Sequence, residues 1–398
     1  MFKNPSLLTK IIIAVIAGAL CSQFFPEWLG RVFATINGLF SGFLNFFVPV
    51  LIFALIAPAI AKLGKGAGRL LGLTVGLSYG STIIAGLLAY ALSVWLYPML
   101  LDGATMAGSI ADIEEGALSP YFSVEMAPPF EVMTALLLSF CIGMAMTVVK
   151  TDVLYRGAVE LEQVVIKIIW SFVVPLLPIY IFGMFVTLGM NGNIGSVLSS
   201  FTKVLTLAVV STLVYLFVQY LVAGAVAGVN PFKALRTMSP AYFTALGTSS
   251  SAASIPISRE AALKNGVSEE VAGFVIPLCA TIHLSGSMIK LMLYAFALTF
   301  MTGMDVPTSK ALGFMFLLAI TMIAAPGVPG GAVMVATGLL SEMMGFDDSM
   351  VALMIAAYIA IDSVGTAANV TGDGAIALIV DKFAPSLRKQ TAPAHPAE

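Results

Sequence analysis

The stretch DSMVALMIAAYIAIDSVGTAANVTGDGAIALIVDK, residues 348–382, decides how this chain is read. It is apolar enough to cross a bilayer, yet it carries Asp362, Thr366, Asn369 and Asp373. On a helix, the spacings i, i+4, i+7 and i+11 bring the fourth residue to within about 20° of the first, so the four form one polar stripe roughly 16 Å long. A carboxylate at the bilayer centre costs about 2.5–3.5 kcal/mol even on the lenient insertion scale. Two carboxylates on one face need a compensating partner, and the stripe is therefore a ligand or ion site by default.

The surrounding chain has the same character. Of 398 residues, 59% are hydrophobic and only 10% charged, with a mean hydropathy of +1.00; a soluble domain would carry about 25% charged residues. The apolar runs are continuous and do not alternate with period two, so they predict helices and not a barrel. Spans are expected near 5–26, 33–61, 68–97, 129–150, 164–190, 199–229, 271–302 and 348–381. Segments 231–263 and 305–345 are apolar but broken by Gly, Pro and Ser near their middles. Broken backbone at membrane depth is tolerated only where it is buried in protein or lines a cavity, so these two read as re-entrant hairpins. The fold class is thus an all-α polytopic membrane protein with eight transmembrane helices and two re-entrant helical hairpins.

With the N-terminus inside, fifteen of the 19 Lys and Arg residues fall on the inner side, which the positive-inside rule favours. This orients both termini to the cytoplasm and places the protein in the plasma (inner) membrane. The basic, apolar N-terminus is read as a retained first span. Cys21, Cys141 and Cys279 lack metal or redox spacing. The acidic loop Asp102–Glu125 carries no readable chemistry, and the Pro/Ala-rich tail 387–398 is expected to be disordered. Every interrupted segment and buried charge falls after residue 230. Residues 1–230 therefore read mainly as scaffold, with the third span joining the moving part, and 231–386 as a transport core.

Four features converge in that core. GTSSSAASIP, 247–256, turns in mid-membrane; a helix starting near Ala252 would aim N–H groups at an anion, while the alternative is a Ser-rich turn satisfying its own backbone. In FVIPLCATIHLSGSMIK, 274–290, His283 and the Ser285-Gly286-Ser287 run interrupt a span and would expose carbonyls to a cation. His283 reads either as a hydrogen-bonded interior histidine or as a proton carrier or substrate contact. Lys290 lies too deep to reach an interface, so it either pairs with Asp362 or Asp373 or acts as a tethered cation in place of a transported ion. The third feature, AAPGVPGGAVMVATG at 324–338, cannot be regular helix around Pro326–Gly331 and suits a gate or a passive turn. The fourth is the stripe, where Asn369 and Asp373 offer oxygens to a hard cation and Asp362 could hold an ammonium group.

The Ser-rich tip followed by Pro256, PLCATI at 277–282, GVPGG at 327–331 and NVTGD at 369–373, in this order, resemble the dicarboxylate/amino acid:cation symporter family, the glutamate transporters and their neutral amino-acid relatives. The resemblance implies a homotrimer and an elevator-like transport domain. It implies that Ser250 and Ser251 meet the substrate carboxylate, Asp362 its amino group and Asn369 its α-carboxylate. It further implies an extracellular gate at Val328–Gly331, including Gly330, and a sodium site at Asp373 and Asn369, with Thr281, His283 and Ser285 as further cation-binding candidates. Members that carry acidic substrates have an arginine where this chain has Gly365 or Ser249. A neutral amino acid is therefore expected, with Gly365 and Thr366 beside it and Gly365 leaving room for its side chain. His283-Leu284-Ser285-Gly286-Ser287 replaces the family's Asn-Met-Asp-Gly-Thr, which implies fewer sodium ions, or proton coupling, with His283 and Lys290 as charge-coupling candidates.

These readings predict a secondary active symporter and not an enzyme, with no resident cofactor, transported Na+ or protons, a small-molecule amino-acid substrate, a lipid bilayer as surroundings and no nucleic-acid partner. An intramembrane serine hydrolase built on His283 lacks a nucleophile elbow. An anion-conducting channel would not need carboxylates capped by hairpin tips. A carboxylate or dicarboxylate substrate would pair with Lys290 in place of Asp362.

Overall fold

The computed structural model describes the chain apart from residues 1–6, 66–68, 102–117, 150–151, 191–193, 323–324, 326–329 and 392–398. Val328, most of the acidic loop and the end of the tail therefore lie outside the described residues. Among the described residues there are helices and no strands. In chain order they are α1 (Leu7–Cys21), α2 (Glu27–Lys65), α3 (Arg69–Leu100) and α4 (Val132–Val148), then α5 (Val153–Met190, with a π-helical turn at Ile169–Val173) and α6 (Ile194–Ala227). The core follows: α7 (Pro231–Thr237), α8 (Ser239–Thr248), α9 (Ser251–Lys264), α10 (Glu269–Ile282), α11 (Ser285–Thr302), α12 (Thr308–Thr321), α13 (Gly331–Met344, π-helical from Leu340), α14 (Asp348–Ala360) and α15 (Asp362–Thr391).

Six stretches among the described residues are long and apolar enough to cross a membrane: Glu27–Ala61, Leu70–Leu100, Val153–Met190, Ser199–Ala227, Glu269–Thr302 and Asp362–Ala384. The runs expected at 5–26 and 129–150 form the shorter apolar helices α1 and α4. The run expected at 348–381 is two helices, α14 and α15, divided at Ile361. The last helix continues to Thr391, past residue 387 where the sequence predicts the tail to begin. Large apolar side chains such as Trp95 (71% exposed) and Phe243 (66%) point outward, as befits helices whose outer faces meet lipid tails.

Local signals set several boundaries. Asn230 caps α7, its side-chain oxygen accepting from Lys233 N at 3.0 Å, with Pro231 in the first turn. Asp347 caps α14 through Met350 N at 2.8 Å. One apolar core joins α1–α5 and the first half of α6 to α11–α14, and a second joins the rest of α6 to α7–α10 and α15. Hydroxyl groups tie the long helices to the interrupted ones. Tyr97 on α3 donates to Leu293 O (2.6 Å), and Tyr220 on α6 donates to Thr371 O (2.7 Å). Hence α6, which the sequence assigns to the first block, packs on the stripe-bearing helix.

Candidate functional site

Four backbone interruptions meet at one place. Between α8 and α9, Ser249 adopts a left-handed conformation (φ 49°, ψ 31°) and is the only non-glycine residue with positive φ among the described residues. Such a conformation is uncommon for a residue with a Cβ and is held by its surroundings. Ser250 is extended and caps α9, its Oγ accepting from Ala253 N at 3.3 Å. The helix therefore starts at Ser251, one residue before the expected Ala252.

Between α10 and α11 the chain leaves helical geometry at His283 and Leu284, and Leu284 N donates to Thr82 Oγ1 at 3.3 Å. Between α14 and α15 only Ile361 departs (φ −124°, ψ 22°), so Asp362 opens a new helix. At the start of α13, Gly330 has φ +76° and donates its N–H to Asp362 Oδ2 at 2.7 Å. Glycine suits this position because a left-handed turn costs a side-chain-bearing residue about 1–2 kcal/mol.

All four stripe residues lie on α15 and are buried. Asp362 is held on both oxygens: Oδ1 by Lys290 Nζ at 3.2 Å and Oδ2 by Gly330 N. Of the two carboxylates that could pair with Lys290, it is thus Asp362 that does. Lys290 is fully buried, with its ammonium 3.8 Å from the centroid of the Tyr358 ring and 3.5 Å from Ile361 O. Cation–π contact and a carbonyl supplement the ion pair.

The space beside Gly365 is occupied by protein. A Cβ built there would overlap Lys290 Cε and Nζ. The expectation that Gly365 leaves room for a substrate side chain is therefore corrected: the room holds Lys290, which arrives from α11. Gly286 on α11 is the reciprocal close approach, since a Cβ there would come within 2.9 Å of Gly365 O.

Thr366 donates to Asp362 O at 2.9 Å. Asn369 spans to α11, its Oδ1 accepting from Gly286 N (2.8 Å) and its Nδ2 donating to Ser287 Oγ (3.1 Å). Ser287 Oγ also meets Tyr358 OH at 2.9 Å.

Asp373 sits one helical turn deeper, with its Oδ1 2.9 Å from His283 Nδ1, both side chains essentially unexposed. The far side of the imidazole faces Ser81 Oγ (3.1 Å) and Gln219 Nε2 (3.0 Å). Gln219 Nε2 also approaches Ser81 Oγ (2.8 Å) and Ser285 Oγ (3.4 Å). His283 and Ser285 thus join Asp373 in one network, and Asn369 turns instead to Gly286. Thr281 donates to Leu278 O at 2.8 Å and stands on the wall of the cavity described next.

Asp362, Thr366 and Asn369 form one wall of a cavity whose other walls include Ser249, Ser251, Thr281, Ser287 and Tyr358, with small Ala280, Ala325 and Ala332 between them. Together with the solvent at its open mouth it contains about 360 Å³ of empty space. Among its described lining residues, Asp362 is the one charged group. Ser250 and Gly365 are not on this wall, Gly330 reaches the site through its N–H on Asp362, and Lys290 approaches Asp362 from behind. Ser81, Gln219 and Tyr358 were not predicted. A lone amide such as Gln219 within an apolar span was the one available signal.

A multi-pass helical membrane protein with interrupted helices converging on a polar, carboxylate-bearing cavity in its interior has the construction of a secondary transporter. The model of the sodium:dicarboxylate symporter family matches residues 7–383, and the chain belongs to that family. It is similar to the serine/threonine transporter SstT of Enterococcus faecalis (strain ATCC 700802 / V583), with 27% identity over 397 residues, 93% of this chain and 90% of the relative.

Proposed function

We propose that the protein is a cation-coupled symporter of a small neutral amino acid, with serine and threonine as first candidates. The observation that carries this reading is the cavity wall, whose single charged group is Asp362 among hydroxyls, an amide and alanines. A zwitterion brings one ammonium to that carboxylate and one carboxylate to hydroxyl and N–H donors around Ser249, Ser251 and Thr366. A dicarboxylate would bring a second carboxylate to a cavity whose described lining offers no cation, with Lys290 already paired to Asp362 and no guanidinium to receive it. The family and the serine/threonine-transporting relative support symport of a small amino acid or dicarboxylate, and a lining that offers a carboxylate and no cation favours the amino acid.

In this reading Asp362 binds the α-ammonium, Asn369 and the Ser249–Ser251 tip face the α-carboxylate, and the second hairpin closes through Gly330. The coupled cation, Na+ or a proton, binds at the Asp373–His283 end of the stripe and favours closure, so that coupling is a difference in substrate affinity between cation-bound and cation-free states. The protein works as a homotrimer in the inner membrane, with cytoplasmic termini and a transport domain that moves against a scaffold.

The test is a thermal-shift screen of the purified protein against L-serine, L-threonine, L-alanine, L-glutamate and succinate, each with Na+, with K+ and across pH. At a ligand concentration of about 100 times Kd the expected stabilisation is roughly 2.7 kcal/mol. A shift by neutral amino acids in the presence of one cation supports the proposal, and a shift by succinate or glutamate alone would replace it with the dicarboxylate reading, in which Lys290 leaves Asp362 for the substrate.

A further inference from the structure

We propose that Lys290 is a tethered stand-in for the substrate's ammonium group, holding Asp362 when the cavity is empty so that the carrier can close and return without cargo. This inference rests on the amino-acid reading above. Asp362 has two sides. It lines the cavity, where an entering ammonium group would meet it, and its Oδ1 also receives Lys290, which is fully buried and is not among the described residues of the cavity wall. One carboxylate is therefore shared by two cations, one mobile and one covalently attached.

The second oxygen of Asp362 accepts the N–H of Gly330 at the start of α13. The ion pair thus keeps in place the acceptor that holds the second hairpin. Without a counter-charge, a carboxylate left behind by a departing amino acid would be buried and unpaired, a strongly disfavoured state for a domain that must cross the membrane interior. With Lys290 present, the empty site carries no net charge from this pair.

Lys290 also has a place to stay when the substrate takes Asp362. Its ammonium lies over the face of Tyr358 and near the carbonyl of Ile361, so it can give up part of its hold on Asp362 without losing every partner. Gly365 makes the arrangement possible, because any side chain there would occupy the channel along which Lys290 reaches Asp362.

The distinguishing experiment compares two transport modes in proteoliposomes with radiolabelled L-serine, run with a Na+ gradient and, separately, with a pH gradient. In exchange, unlabelled L-serine fills the vesicles and both crossings are made loaded; in net uptake the vesicles start empty and the unloaded carrier must return. For Lys290→Met the proposal expects net uptake to fall at least tenfold further than exchange. Gly365→Ala, which displaces Lys290 while leaving its charge in the protein, is expected to show the same split. Equal losses in both modes, or no loss in either, would overturn the role given to Lys290. A wild-type protein that neither exchanges nor accumulates any amino acid would instead overturn the functional reading beneath it.

Discussion

The Lys290–Asp362 pair makes a quantitative claim about the intact site. The two charged atoms are 3.2 Å apart, with side-chain exposures of 0% and 7%. At an effective dielectric constant of about 20, Coulomb's law gives an attraction of roughly 5 kcal/mol at this separation. Asp362→Asn leaves Lys290 charged and buried, with only the Tyr358 face and the Ile361 carbonyl as company. Breaking a buried pair from one side costs about 3–5 kcal/mol, and the cation–π contact, present with or without Asp362, keeps the loss toward the lower end. For a 398-residue protein a loss of this size lowers the apparent melting temperature by about 4–6 °C. Lys290→Met is expected to cost a similar amount, because it leaves Asp362 unpaired. The double variant removes both charges and keeps an oxygen at position 362 for Gly330 N–H, so it should melt closer to wild type than the sum of the singles implies. The assay is a double-mutant cycle on detergent-purified protein, with an expected coupling energy above about 1.5 kcal/mol. Coupling below about 0.5 kcal/mol, with the double variant as unstable as the two singles combined, would refute the pairing.

Other outcomes follow from the same contacts. Gly286→Ala places a Cβ 2.9 Å from Gly365 O, forces α11 from α15 and should cost about 1–3 kcal/mol, whereas Gly273→Ala, with nothing nearer than Arg259 Nε at 3.7 Å, should be neutral or slightly stabilising in the same melting assay. Asn369→Ala strips the buried Gly286 N–H of its acceptor and should lower stability by about 1–3 kcal/mol as well as weakening L-serine binding, read by titrated thermal shift. Asp373→Ala removes the carboxylate that faces His283 and should abolish the response of L-serine uptake to an imposed cation gradient; uptake with an unchanged gradient dependence would remove Asp373 from the coupling role.

Much of this site is legible in sequence because a membrane makes polar residues conspicuous. The spacing of Asp362, Thr366, Asn369 and Asp373 places them on one helix face, and all four are buried on α15. The breaks at Ser249–Ser250 and at His283–Leu284 are likewise announced by serine-rich composition and by a histidine followed by Ser285-Gly286-Ser287 in an apolar run. The break at Ile361 is not. It lies at the end of an apolar run, with no Gly or Pro at the turn to announce it. The partner of Lys290 was equally undecidable, since two carboxylates lie on the same stripe and only the approach of α11 selects Asp362.

Gly365 illustrates the most instructive difference. In the sequence a missing side chain suggests space for a ligand, but space in a packed interior is filled by the nearest group of suitable shape, here Lys290 from 75 residues earlier in the chain. Ser81 and Gln219 escaped notice for a related reason. They belong to long, mainly apolar spans with other scattered hydroxyl residues, and they become part of a site only because α3 and α6 carry them to His283.

The central claim, that an inward cation gradient drives a neutral amino acid through the Asp362 cavity, is tested most directly by uphill accumulation of radiolabelled L-serine in proteoliposomes under an imposed Na+ or proton gradient. The account predicts accumulation above the external concentration that collapses when the gradient is dissipated, is blocked by excess L-threonine and is lost in Asp362→Ala. Accumulation of succinate in place of serine, or serine uptake that persists undiminished in Asp362→Ala, would contradict it.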